Sequence, residues 1–130
     1  MVKRGADEDI TLYEQRVPYV LGGNKLTYAF SLKNYLKNVG SDDVFRRGLE
    51  LMTTMALTEN LKMRRAQLTG YIFDVAETEK ENTKSEKKEE ADVARRRLDI
   101  VKAALQRVVA AEKDPENLKE DQKRMKNIFE

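Results

Sequence analysis

One stretch constrains the fold of this chain more than any other: Ala91 to Lys113. Ala94, Leu98, Val101, Leu105 and Val108 recur at spacings that alternate between four and three, which places them on one stripe of an α-helix. Val93, Ile100, Ala104 and Val109 widen the stripe, while Asp99, Lys102, Gln106 and Lys113 fall on the opposite side. No Gly or Pro interrupts the run, and Ala, Leu and Arg are strong helix formers. A helix this amphipathic has to bury its stripe, so the other apolar segments are expected to be its partners.

Those partners follow from the same periodicity. Leu26 to Val39 fits a first helix that Gly40 would stop, and Ser41-Asp42-Asp43 offers an N-cap and acids for the next first turn. In Val44 to Ala76 the apolar face rotates part-way along. Phe45, Leu49, Met52 and Ala56 share one side, and Leu57, Leu61, Leu68, Ile72 and Val75 share another. Either the chain breaks around Thr58-Glu59-Asn60, or one helix is buried first on one side and then on the other. With no Gly or Pro at that point, continuity is favoured. Thr83-Lys84-Ser85-Glu86 matches a capping box that would open the principal helix. Asp114-Pro115 marks a clear break before a short last helix with Leu118, Gln122, Met125 and Phe129 on its stripe.

The fold class expected is therefore all-α: an up-and-down four-helix bundle with helices near 26–39, 43–77, 84–112 and 115–129. Leu49, Met52, Leu61, Leu68, Ile72, Leu98, Val101 and Leu105 are its expected core. Residues 1–24 are expected to form an extended N-terminal arm, frayed over 1–9, ahead of the bundle at 25–130. Within the arm Pro18 biases Val17 toward extended backbone, and Gly22-Gly23-Asn24 forms a turn. An apolar arm of this kind lies either across its own bundle or on a partner protein.

The chemistry available to the chain is narrow. It has neither Cys nor His, so it lacks a thiolate, a Cys- or His-ligated metal site and the usual general base near neutral pH. Ser85-Glu86-Lys87-Lys88 has the S-x-x-K spacing of Ser–Lys acyl enzymes, but it lies in the most charged part of the chain, with no apolar pocket to lower the Lys88 pKa. Gly22-Gly23-Asn24-Lys25 lacks the spacing and terminal hydroxyl of a phosphate loop. Glu59 and Asp74 are two carboxylates without a His partner. The expectation is a protein that is not an enzyme and uses no cofactor, metal or small-molecule substrate. Net charge is only +2, which argues against a polycation built for phosphates. Arg64-Arg65 and Arg95-Arg96-Arg97 keep a nucleic-acid-binding bundle open as the alternative. No run has the length of a membrane span.

The order of elements from Leu32 to Phe129 resembles the PsbQ-like extrinsic subunits of photosystem II. Leu36 through Leu49 is similar to that family's passage from first to second helix. Leu61-Lys62-Met63-Arg64-Arg65-Ala66-Gln67-Leu68 is similar to its Leu/Arg-rich helix, and Lys113-Asp114-Pro115-Glu116 to the break before its last helix. The resemblance implies a cysteine-poor four-helix bundle with an extended arm, seated on the lumenal face of a large membrane complex in the thylakoid. Without it, a cytoplasmic location is expected. On either reading the chain is a structural or accessory subunit that docks on a larger protein assembly. Its expected partner contacts are Tyr13, Val17, Tyr19, Val20 and Leu21, with Arg64, Arg65, Arg95 and Arg96 as electrostatic guides.

Overall fold

The computed structural model of the chain describes residues 6–130, with side chains from Ile10 onward. Among these residues the fold is all-helical, with six α-helices: α1 Ala6–Arg16, α2 Asn24–Leu36, α3 Asp42–Leu57, α4 Lys62–Asn82, α5 Lys88–Ala110 and α6 Pro115–Phe129. A single 3₁₀ turn, Val17–Tyr19, follows α1. Successive helices reverse direction. One end of the fold gathers the 20–23, 58–61 and 111–114 connections, and the other end gathers 37–41 and 83–87. α2 to α5 surround the core, α1 lies against α2 and α3, and α6 lies across α4 and α5.

The α5 stripe behaves as its periodicity requires: Ala94, Val101, Leu105 and Val108 are buried, and Leu98 is half-buried. Ser41 caps α3 by accepting from the Val44 N–H at 3.3 Å, and Asp114 caps α6 by accepting from the Asn117 N–H at 2.9 Å. Leu49, Met52, Leu68 and Ile72 are in the core.

Several expectations are corrected. Residues 6–16 are helical rather than an extended arm, so fraying of 1–9 fails from Ala6 onward and for 1–5 lies outside the described residues. The reason is visible in the pattern: Ile10, Tyr13 and Val17 follow helical spacing, and Ile10 and Val17 are buried against the bundle. Pro18 does not oppose this, because it occupies the first turn of the 3₁₀ segment, where a missing N–H costs nothing. Gly48 lets α1 and α2 close on α3. A Cβ there would stand 2.6 Å from a Leu36 methyl and 3.4 Å from Ile10 Cδ1.

The expected 43–77 helix is two helices, which with α1 raises the expected four helices to six among the described residues. At its C-terminus α3 is stopped by a partner from far along the chain. Lys25 Nζ donates to the Thr58 hydroxyl at 3.2 Å and lies 3.5 Å from Glu59. Glu59 in turn accepts from the Leu61 N–H at 2.8 Å and from Arg64 at 3.2 Å. Burial acts to raise the Glu59 carboxyl, but the Leu61 N–H, Lys25 and Arg64 outweigh it and hold the group below the ordinary range. Leu61, expected in the core, falls inside this break and is 53% exposed. Downstream, α4 meets α2, α3, α5 and α6, which accounts for the rotated apolar face without continuity.

The last correction concerns the start of α5. Thr83 does not cap it; its hydroxyl donates back to the Lys80 carbonyl at 2.6 Å, closing α4. The helix begins at Lys88 after an N-cap, Lys87, that supplies no side-chain bond. The first helix likewise ends at Leu36, four residues before Gly40.

Candidate protein-docking face

At the end of the fold where the 20–23 and 58–61 connections meet, four large apolar side chains stand in solvent: Tyr19 (84% exposed), Leu21 (73%), Leu61 (53%) and Met63 (78%). Local structure forces each outward. The 3₁₀ turn buries Val17, which turns Tyr19 away from the core. Leu21 precedes a tight turn in which Gly22 adopts φ 61° and the Asn24 N–H donates to the Leu21 carbonyl at 3.3 Å. Leu61 is the N-cap of α4, and Met63 lies in its first turn. The Lys25–Glu59 contact at 3.5 Å ties the two connections together. The Lys62–Asp114 contact at 3.1 Å and the bond from Asn117 to the Lys62 carbonyl at 3.3 Å bring the start of α6 to the same end.

The expected contact residues divide. Tyr19 and Leu21 are on this face, and Val20 is half-buried beneath it. Val17 is in the core, and Tyr13 is committed to its own bundle. The Tyr13 ring lies 6.1 Å from that of Tyr28 at 89° and 5.7 Å from that of Tyr35, and its hydroxyl shares a hydrogen bond with Ser31. A shallow apolar cleft of about 440 Å³ opens beside this cluster between α1 and α2. Leu61 and Met63 were not expected here. Met63 sits between Lys62 and Arg64, so the sequence carried a hint of an exposed apolar residue in a polar run.

The four expected guiding arginines are all engaged with acids and do not share a surface. Arg64 meets Glu59 at 3.2 Å, and Arg65 is buried, donating to the Val108 carbonyl at 2.8 Å beside Glu112 at 3.3 Å. Arg95 pairs with Asp92 one turn before it at 2.7 Å, and Arg96 meets Asp42 at 3.0 Å. The first pair sits near the apolar end and the second on the first turns of α5, nearer the other end. Ser85 accepts from the Lys87 N–H at 3.2 Å, and Lys88 is exposed. Among the described residues no group of three or more acids, His or Cys has an arrangement that could hold a metal ion. No described helix is long and apolar enough to cross a membrane.

No protein-family model, curated protein or solved structure matches this chain significantly.

Proposed function

We propose that this chain is a non-catalytic structural or accessory subunit that docks on a larger protein assembly through the Tyr19–Leu21–Leu61–Met63 end. The observation that carries the reading is that those four exposed apolar side chains, from three separate elements, all lie in or next to the connections at one end of the fold. Scattered single apolar residues are ordinary on a protein surface, whereas several large ones at one end of a fold point to a contact. Burying each such side chain is worth roughly 1.5–3 kcal/mol, so the group alone is large enough to anchor an interface. The ion-paired arginines favour this reading over the nucleic-acid alternative, because each would have to leave an acid to meet a phosphate.

The narrower form of the proposal is an extrinsic subunit of the photosystem II type. It is supported by the resemblance carried by Leu36–Leu49, Leu61–Leu68 and Lys113–Glu116, and by the all-helical fold. Two experiments separate the levels. In the first, the full chain and a Tyr19→Ser, Leu21→Ser, Met63→Ser variant are used as baits, with Leu12→Ser as control. Loss of the same partners from the triple variant alone is the expected result, and equal recovery by all three baits defeats the docking reading. In the second, the chain is mixed with photosystem II cores stripped of their extrinsic subunits. Failure to co-migrate defeats the narrower form only.

A further inference from the structure

None of the residues lining the cleft between α1 and α2 belongs to the docking face. The cleft has a volume of about 440 Å³, within the range of sites that hold a small molecule. The helices open it by the way they rotate. Ile10 and Val17 face the bundle, so α1 presents Leu12, Tyr13 and Arg16 along the cleft. Thr27, Ser31 and Tyr35 recur at every fourth residue of α2, with Tyr28 beside them, and form the facing wall. α1 packs chiefly on α3. Toward α2 the Tyr13 side chain spans the gap: its ring meets those of Tyr28 and Tyr35, and its hydroxyl shares a hydrogen bond with Ser31. Leu12, 51% exposed, adds an apolar wall at the same cleft.

The charge at this cleft has one sign. Arg16 lines it and has no ion pair among the described residues, and no carboxylate lines it. Glu14, on the same helix, is held by Arg47 through bonds of 2.6 and 2.9 Å. A cation would therefore meet Arg16 with no acid to receive it. Nor do the tyrosines form an ammonium cage, since centroid separations of 5.7 and 6.1 Å put the Tyr13 ring in contact with both others. What they offer is ring face and edge, which favours a planar aromatic group over an aliphatic chain. Arg16 follows Tyr13 by three residues, so the two rise on one face of α1 with Cβ atoms about 5–6 Å apart. One small molecule can stack on the ring and reach the guanidinium, whose fork of donors suits a carboxylate.

We infer that the α1–α2 cleft binds a small aromatic carboxylate, with its ring on the Tyr13, Tyr28 and Tyr35 cluster and its carboxylate on Arg16.

The full chain is titrated with 2-naphthoate, 2-naphthylmethylamine and octanoate at matched ionic strength, followed by amide and side-chain NMR. 2-Naphthoate should saturate with a Kd of about 1 mM or tighter, as suits a ligand of its size. It should move the Arg16, Thr27 and Ser31 signals and give intermolecular NOEs to Leu12 and to the Tyr13 and Tyr28 rings. The amine and octanoate should each bind about tenfold more weakly. Arg16→Gln changes an exposed side chain, so the variant should keep the circular dichroism of the parent. It should weaken 2-naphthoate by about tenfold and leave the amine unchanged. The inference is overturned if 2-naphthoate does not saturate, or if either of the other probes matches it. It is equally overturned if Arg16→Gln binds 2-naphthoate as well as the parent does, or if the NOEs arise from another part of the chain.

Discussion

Replacing Asp121 with Asn should make this protein more stable at neutral pH, although the substitution removes a charge from a chain held together by charges. Asp121 lies on the inner side of α6, 8% exposed, with no hydrogen bond or ion pair among the described residues. Burial pushes its carboxyl from the ordinary 3.8 up to about 6, and Glu112 raises it further, against Arg65 and Arg124. A raised carboxyl means that the neutral form is favoured in the folded state. The group's stabilising effect is therefore complete below about pH 4, is lost as pH rises to about 6, and does not change further above that. A rise from 3.8 to about 6 corresponds to about 3 kcal/mol at neutral pH. Asn removes the ionisation but still has to bury an amide, which leaves a net gain of about 1–2 kcal/mol. Urea unfolding at pH 4, 5, 6, 7 and 8, followed by circular dichroism, measures it for both proteins. Taking the difference between them cancels every other titrating group. At pH 4 the variant is expected to be the less stable by up to about 1–2 kcal/mol, the cost of burying the amide; the difference reverses as pH rises toward 6 and is flat above about pH 7. A difference that does not vary with pH, or a variant less stable at pH 7, would refute the reasoning.

Three further outcomes follow from the same structure. Gly48→Val should cost about 1–3 kcal/mol, because the new side chain enters the Leu36–Ile10 contact; the midpoint of urea unfolding measures it. Lys25→Met should lower stability by about 1–3 kcal/mol in the same assay, since Glu59 stays buried with Arg64 as its remaining cation. Asp114→Ala should remove the cap of α6 at a cost of about 0.5–2 kcal/mol, and amide hydrogen exchange should accelerate first in residues 115–118; unchanged exchange there would show that the cap is dispensable.

Periodicity and capping alone determined the all-helical class, the α5 stripe and the two termini whose caps are local, Ser41 and Asp114. Those signals act over a few residues, where one side chain meets its own backbone, so they survive without a fold around them. Ile10, Tyr13 and Val17 carry the same signal for α1, but Pro18 right after them signals extended backbone, and the two local cues conflict. What the sequence could not decide depended on residues far apart. At the break at 58–61, Lys25, more than thirty positions earlier, reaches the end of α3 and Glu59. The local bonds from the Leu61 N–H and Arg64 to Glu59 also hold the break, but in a run lacking Gly and Pro they are hard to foresee without the fold. The same break carries Leu61 and Met63 to the surface at the end of the fold that holds Tyr19 and Leu21, so the proposed docking face is a product of tertiary packing. The arginines show the same dependence. Their sequence clusters left a shared basic surface open, while the fold engages every one of them with acids, Arg96 and Arg97 both on Asp42, because helical rotation spreads neighbouring side chains and only the packed structure determines which acids they meet.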